Sequence, residues 1–168
     1  VDSIPMIVIS GQCRYNTSVP DSGLPLRTRG VQEFNIVDTV KTMTKYSKLV
    51  TNPLEIKREV QKAYDIAMSG RRGPVWLDIP QNVQNAMVEE ADLLPVEPKP
   101  EVVSATSEEI AKVLQLLKQA KRPVIMVGSG VRYSGNFDAF LDFLEHVKVP
   151  VVNACSQPDL LYLDHPLC

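Results

Sequence analysis

A pair of arginines bracketed by glycines and followed by an apolar segment most constrains how this chain folds. The stretch runs from Ser69 to Pro80 and reads Ser-Gly-Arg-Arg-Gly-Pro-Val-Trp-Leu-Asp-Ile-Pro. Gly70 is typical of a helix end, the Gly-Pro pair of a tight turn, and the apolar residues 75–79 of a buried strand. The pattern therefore predicts a helix, a turn and a strand in close succession, with Arg71 on the turn.

The first half of the chain contains two further segments with a clear pattern. Residues 6–9 are apolar and rich in β-branched side chains, which predicts a buried strand. Asn52 and Pro53 are a typical N-cap and first helical residue, and apolar residues then recur at helical spacing up to Gly70. Residues 13–30 have no periodicity and are predicted to form a loop.

The second half repeats the same alternation after a break in composition. Acids and prolines dominate residues 89–100 and predict a linker. Thr106 and Glu109 have capping-box spacing at the start of an apolar helix face, and apolar strands are predicted at 123–127 and 149–152 with a helix between them. We therefore expect a β-α-β unit with a parallel sheet and a right-handed crossover.

Composition excludes several classes of partner. The chain has 168 residues, 44% of them hydrophobic, and a formal net charge of -2. Mixed charges of this kind give no electrostatic basis for binding nucleic acid or an anionic membrane, and no apolar run is long enough to span a bilayer. Without a signal peptide pattern, a cytoplasmic location is expected.

Cysteine and histidine residues predict no metal centre. The three cysteines, Cys13, Cys155 and Cys168, are far apart and lack Cys-x-x-Cys spacing. They are expected to be reduced thiols rather than disulfides or zinc ligands. The two histidines, His146 and His165, are expected to have structural or surface roles.

A glycine turn follows the predicted strand at 123–127. Gly128-Ser129-Gly130 leaves the carboxyl end of that strand, where a backbone without side chains allows a nucleotide to approach closely. The full Gly-x-Gly-x-x-Gly fingerprint is absent, because Tyr133 occupies the third position. A nucleotide-binding loop and a purely structural turn therefore both remain open at this point.

The ordered set of motifs resembles the acetolactate synthase group of thiamine diphosphate enzymes. The resemblance begins with Asp2-Ser3-Ile4-Pro5 through Ile9-Ser10-Gly11-Gln12, followed by Gly30-Val31-Gln32-Glu33 and Thr44-Lys45-Tyr46. It continues through the arginine turn and Ala120-Lys121-Arg122-Pro123 up to Gly130, and ends with Asp164-His165-Pro166-Leu167. It implies parallel-sheet, three-layer α/β/α domains. Residues 1–88 would be the C-terminal part of a pyrimidine-binding domain, residues 89–104 a linker, and residues 105–168 the N-terminal part of a central Rossmann-like domain.

The resemblance implies the activity of the whole enzyme rather than of this segment. Such enzymes use thiamine diphosphate and Mg²⁺ to decarboxylate a 2-oxo acid such as pyruvate and transfer the two-carbon unit to an acceptor. The family's catalytic glutamate and its Gly-Asp-Gly metal motif have no counterpart here, so no catalytic or metal-binding residue is predicted and the chain alone is expected to be inactive. Glu33 matches a later segment than the catalytic glutamate and is expected to start a helix.

Five residues can be matched to functional positions of the family. Gln32 and Lys45 match residues of the substrate channel, with ordinary solvated side chains as the alternative. Arg71, Gly128 and Gly130 match residues that contact flavin in members that bind it, so FAD is a possible cofactor; Arg71 could instead stabilise the end of the preceding helix.

Several residues depart from the family pattern, and these departures bear on the identity of the acceptor and on whether flavin is bound. Val31 replaces an aromatic residue, Arg72 a proline and Gln81 a lysine, while Arg27 and Arg29 replace a glycine and an aspartate. The segment 153–158 also lacks the glycine of the family's flavin segment. The additional arginines suggest an acidic or phosphorylated acceptor such as a keto sugar.

A different class of function remains open. The missing catalytic elements also suit a stand-alone module that binds a nucleotide or another subunit without catalysis. Members of the family build their active sites between subunits, so a homodimer or homotetramer is implied for the intact enzyme.

Overall fold

Parallel strands form the framework of each half of the chain. In the computed structural model, which describes residues 3–99, 104–155, 157–162 and 164–168, residues 4–99 and residues 104–168 belong to two separate compact units. The first unit contains strands β1 (Met6–Gln12), β2 (Tyr46–Leu49) and β3 (Pro74–Pro80). Their order is β1-β3-β2, and both neighbours run parallel to the central strand β3.

Helices of the first unit connect and cover these strands. They are α1 (Val19–Ser22), α2 (Ile36–Val40), α3 (Ile56–Met68) and α4 (Gln81–Gln84). The side chain of Asn52 accepts a hydrogen bond from the backbone N–H of Leu54, which confirms the predicted cap. A single 3-10 turn, Pro53–Glu55, then leads into α3.

The core of the first unit lies between α3 and the sheet. Ala63 and Ala67 of the helix pack against Val75 and Leu77 of β3, and all four side chains are buried. Small residues on the helix allow it to lie close to the strand, where each buried Val or Leu contributes about 1.5–3 kcal/mol of transfer free energy. This packing fixes the position of β3, whose two ends carry the residues discussed below.

The second unit has the predicted β-α-β order. It contains α5 (Ser107–Gln119), β4 (Ile125–Val127), α6 (Gly130–Tyr133), α7 (Phe137–Val147) and β5 (Val151–Asn153). Strands β4 and β5 are parallel, and Leu144 of α7 is buried against them in a cluster with Val127 and Val151. The parallel strands with packed helices in both units confirm the predicted α/β fold class.

Helix α5 begins as predicted but buries none of its side chains. Thr106 and Glu109 form a complete capping box, with each side chain accepting a hydrogen bond from the other residue's backbone N–H. The apolar face of the helix, expected from its periodicity, is open to solvent; Val113 is 63% exposed.

The segment predicted as a linker has contacts of its own in its first part. Residues 90–92 form a 3-10 turn, and the N–H of Leu94 donates to the carbonyl of Leu54 at 2.9 Å. Glu97 pairs with Lys62 of α3 at 3.0 Å. Residues 100–103 of the predicted linker lie outside the described residues, as do residues 1, 2, 156 and 163.

Candidate functional site

A hydrogen-bonded chain of side chains lies at the carboxyl end of the first sheet. Asp78 of β3, only 1% exposed, accepts hydrogen bonds from Ser10 Oγ at 2.6 Å and from Gln12 Nε2 at 3.0 Å. Gln12 Nε2 also donates to the carbonyl of Phe34 at 2.7 Å, and Trp76 Nε1 donates to Ser10 Oγ at 2.8 Å. Buried carboxylates are tolerated when donors surround them, and here the donors also fix the orientation of the Gln12 amide.

A pocket opens beside Gln12 where the parallel strands end. Its volume is about 620 Å³, including space open to solvent. The walls combine strand ends with the loop that follows β1: Gln12, Ser18, Val19, Pro20, Leu26, Arg27, Glu33, Phe34, Asn35, Val37, Leu49 and Asp78. Carboxyl ends of parallel strands are where open α/β sheets bind ligands, so this pocket is the candidate substrate-side site of the first unit.

Glu33 holds the loop that forms one wall of the pocket. Its carboxylate accepts hydrogen bonds from the backbone N–H groups of Val19 at 2.7 Å, Arg29 at 2.8 Å and Gly30 at 2.8 Å. Partial burial alone would raise the pKa of Glu33, but these backbone hydrogen bonds hold the pKa below its ordinary value. The carboxylate form therefore organises the segment from Ser18 to Gly30.

The expectation that Glu33 starts a helix is wrong. Helix α2 begins at Ile36, and its N-cap is Asn35, whose side chain accepts a hydrogen bond from the N–H of Asp38. Glu33 instead precedes the cap and points its carboxylate back at the earlier loop. The loop itself, predicted without periodic structure, contains a 3-10 turn at Tyr15–Thr17 and the single helical turn α1.

Gln32, a predicted channel residue, has an unusual backbone conformation. Its φ angle is +58°, in the left-handed region that costs a non-glycine residue roughly 1–2 kcal/mol. The side chain is exposed, next to the pocket residue Glu33. This local strain is offset by the three hydrogen bonds that the following carboxylate makes.

Lys45, the second predicted channel residue, lies at the other edge of the same sheet. It directly precedes β2, and its backbone N–H donates to the carbonyl of Pro74, the first residue of β3. Its ammonium group donates to the carbonyls of Ile66 and of Ser69, the latter at 2.7 Å, at the end of α3. The length of β3, about 20 Å, separates the two edges, so the unit does not bring Lys45 and Gln32 together.

Arg71, predicted to contact flavin, lies on the turn between α3 and β3. Gly70 in this turn has a φ angle of +50°, as expected for a residue that ends a helix in the left-handed conformation. Arg71 is exposed and lies at the same sheet edge as Lys45.

A buried charged network between β2 and α3 was not predicted from the sequence. Glu59, only 2% exposed, accepts hydrogen bonds from Tyr46 Oη at 2.5 Å and from Lys48 Nζ at 2.7 Å. Lys48 also pairs with Glu55 at 3.0 Å. Burial would raise the pKa of Glu59, but the donors from Lys48 and Tyr46 lower it. The sequence contained a signal for this network. Tyr46 and Lys48 alternate on one face of β2, and Glu55 and Glu59 are four residues apart at the start of the following helix.

The glycine turn of the second unit is sterically open. A side chain on Gly130 would meet no atom within 4 Å, and one on Gly128 would touch only Ala154 Cβ at 3.6 Å. Neither glycine has a positive φ angle, so backbone conformation does not require them. The absence of side chains leaves the carboxyl end of β4 accessible to a ligand.

Two polar side chains organise the chain beside this turn. Arg132 pairs with Asp159 at 3.0 Å and donates to its backbone carbonyl, also at 3.0 Å. Asn153 Nδ2 donates to the carbonyls of Pro158 at 3.0 Å and Leu161 at 2.8 Å. The segment after β5 is thus held next to the glycine turn by side chains other than the predicted ones.

The described His, Cys, Asp and Glu side chains form no metal site. Within the described part of the chain, no group of three or more His, Cys, Asp or Glu side chains is arranged to hold a metal ion. Cys13, Cys155 and Cys168 are free thiols. Among the described residues, no helix has the length and apolar character needed to cross a membrane.

Comparison with known proteins identifies relatives of both halves. Residues 110–168 match the family model of the thiamine pyrophosphate enzyme central domain. The acetolactate synthase large subunit of Lactococcus lactis subsp. lactis is 32% identical over 169 residues, covering 99% of this chain and 28% of the relative. Acetolactate synthase 2, chloroplastic, of Zea mays is 35% identical over 175 residues, covering 99% of this chain and 25% of the relative.

A third relative gives the same result. The acetolactate synthase large subunit of Corynebacterium glutamicum is 35% identical over 157 residues, covering 90% of this chain and 23% of the relative. These matches confirm the resemblance found from the motifs. The chain spans about a quarter of the length of these relatives.

Proposed function

Since the chain is homologous along its length to acetolactate synthase large subunits and includes part of a thiamine pyrophosphate enzyme central domain, we propose that it is one segment of a thiamine diphosphate-dependent carboligase. The whole enzyme would decarboxylate a 2-oxo acid such as pyruvate and join the two-carbon unit to an acceptor. The observation that carries this proposal is the match over 99% of the chain, which includes both units in their order.

The residues of this chain would contribute to binding rather than to the chemical step. Thiamine diphosphate supplies the carbanion chemistry when bound, with Mg²⁺ at its diphosphate. Gln12 and Gln32 would line the substrate side at the carboxyl end of the first sheet, where Asp78 and Glu33 hold the backbone and side chains in place. We assign no catalytic or metal-ligating role to any residue of the chain.

In the second unit, Gly128 and Gly130 would contact FAD. Arg71 of the first unit is proposed as a flavin contact on the family resemblance alone. The open space above Gly130 fits a ligand that approaches the backbone at a strand end. The amide and guanidinium groups beside the turn are engaged in holding the segment after β5, so backbone groups are the available partners.

The proposed enzyme would be a cytoplasmic homodimer or homotetramer. Free thiols on all three cysteines suit a reducing compartment. Exposed apolar side chains on α5, and on β1 at Met6 and Ile9, suit a segment that packs against further protein. The 168-residue chain by itself would have no carboligase activity.

The first experiment is the intact mass of the natural protein, recovered with an antibody raised against this segment. We expect a polypeptide several times larger than 18.7 kDa. That polypeptide should release CO₂ from pyruvate in a reaction that requires both thiamine diphosphate and Mg²⁺. The isolated chain of residues 1–168 is the matched control and should release none.

Other outcomes would replace the proposal. A natural product of about this chain's own mass would favour a stand-alone nucleotide-binding or subunit-interaction module, which flavin titration would then test. A large product without thiamine-dependent decarboxylation would mean that the segment belongs to a relative that has lost the chemistry. Turnover of pyruvate by residues 1–168 alone would contradict the assignment of catalytic residues to other parts of the enzyme.

A further inference from the structure

The end of helix α3 has an unusually complete set of hydrogen-bond partners. The last carbonyl groups of a helix lack partners within the helix and must find them elsewhere. Here the carbonyl of Asp65 accepts from the N–H of Ser69 at 2.9 Å, and that of Ala67 accepts from the N–H of Gly73 at 3.2 Å. The carbonyls of Ile66 and Ser69 both accept from the ammonium group of Lys45.

Lys45 is held in this position by three further features. Its backbone N–H is bonded to the carbonyl of Pro74 at 2.8 Å, which places the residue against the start of β3. Its aliphatic stem packs on Gly73, where an added side chain would lie only 3.1 Å from Cδ of the lysine. A positive charge at a helix C-terminus also interacts favourably with the helix dipole.

The segment enclosed by these contacts is the turn that carries Arg71 and Arg72. On one side of the turn, Ser69 is bonded to the ammonium group; on the other, Gly73 packs against the stem of the same lysine. The side chain of Lys45, the residue that precedes β2, therefore contacts both ends of a short turn. Loss of the ammonium group would leave the turn held by the backbone hydrogen bonds of Ser69 and Gly73 without the lysine contact.

We infer that Lys45 is a positioning residue that clamps the turn from Ser69 to Gly73 and so sets the position of Arg71. This role rests on the proposed function in so far as Arg71 contacts flavin. It differs from a role in the substrate channel, because the ammonium group is bonded to helix carbonyls at the amino edge of the sheet.

Limited proteolysis of the natural-length protein tests the clamp directly. Trypsin needs a locally unfolded backbone, so it should cleave after Arg71 and after Arg72 faster when the turn opens. Lys45→Met keeps the aliphatic stem and removes the ammonium group, so we expect cleavage at these two bonds to become about fivefold faster. Lys45→Arg, which retains the charge and donors, should restore most of the protection.

The controls separate the clamp from general destabilisation. Lys41→Met removes a nearby exposed lysine whose side chain makes no hydrogen bond or ion pair with any described residue, and should leave cleavage unchanged. Cleavage after Lys121, in the second unit, is the internal reference. Equal cleavage after Arg71 and Arg72 in Lys45→Met and the parent would overturn the inference.

Flavin binding tests the functional half of the inference. If the parent protein binds FAD, the dissociation constant should rise about fivefold in Lys45→Met, return towards the parent value in Lys45→Arg, and stay unchanged in Lys41→Met. Faster proteolysis with unchanged flavin affinity would contradict the link to Arg71. A parent protein that binds no flavin would refute the flavin part of the proposed function, while proteolysis would still decide whether Lys45 clamps the turn.

Discussion

Glu33 Oε2 accepts hydrogen bonds from the backbone N–H groups of both Gly30 and Arg29, each at 2.8 Å. The N–H of Val19 is bonded to the other carboxylate oxygen, so these donors join the loop after β1 to the segment that precedes α2. One wall of the candidate pocket therefore depends on one side chain.

Replacing this carboxylate by an amide should loosen the loop. In Glu33→Gln the amide oxygen can keep some of the donors, but its NH₂ group opposes the others and the charge is lost. We expect a loss of about 1–3 kcal/mol in the free energy of unfolding, measured by urea denaturation. Glu89→Gln, at an exposed position without a described ion pair, is the control; equal stability of the two variants would contradict the role of Glu33.

The pH dependence of stability should reflect both hydrogen-bonded glutamates. The pKa values of Glu33 and Glu59 are lowered in the folded protein, so their contribution is complete above the ordinary pKa of glutamate, about 4.3, and is lost as pH falls through the lowered values. We expect the stability difference between the parent and Glu33→Gln to shrink between about pH 5 and pH 3. A constant difference across this range would show that the carboxylate charge is unimportant.

The protein should be more stable with glycine in place of Gln32. The φ angle of +58° strains any residue with a side chain, and glycine removes that strain at some cost in unfolded-state entropy. Gln32→Gly should therefore raise the free energy of unfolding by about 0.5–1 kcal/mol, whereas Gln32→Ala should not. If Gln32 also lines the substrate channel, both variants should lower the turnover of pyruvate by the natural enzyme, and unchanged turnover would remove it from the site.

Glu59 should be among the most sensitive positions of the first unit. Glu59→Gln would leave Lys48 and Arg58 facing a neutral group, and breaking a buried ion pair is strongly destabilising. Because Lys48 is 31% exposed and can reach water, we expect a loss of about 2–4 kcal/mol rather than the full cost of a buried charge. Urea denaturation of Glu59→Gln and of the Glu89→Gln control measures this loss in the free energy of unfolding. A loss below about 1 kcal/mol would mean that water replaces the carboxylate as the partner of Lys48.

Local patterns predicted most of the secondary structure. Thr106 and Glu109 are three residues apart, so the capping box is a property of adjacent sequence, and Gly70 could be recognised as a helix end without any tertiary contact. Strand β3 was predicted over residues 75–79, four of which are apolar, and it extends one residue further at each end.

The role of Glu33 and the positions of Gln32 and Lys45 depend on contacts between distant parts of the chain, which local sequence patterns do not show. Glu33 finds its partners on a loop that comes earlier in the chain, and nothing in Gln-Glu-Phe-Asn distinguishes that arrangement from a helix start. Lys45 and Gln32 are 13 residues apart, but helix α2 lies between them, and Lys45 directly precedes β2 at the edge of the sheet where α3 ends. Their assignment to a substrate channel came from the family resemblance, and the first unit places the two residues at opposite edges of its sheet.

Trp76 is the only tryptophan of the chain, and its indole N–H is bonded to Ser10, which donates in turn to Asp78. Asp78 also holds Gln12 at the pocket. The tryptophan fluorescence of this chain therefore originates from a single indole, two hydrogen bonds away from the carboxylate that orients Gln12. A ligand that moves Gln12 or Asp78 is expected to change this fluorescence, so binding at the pocket can be followed without an introduced label.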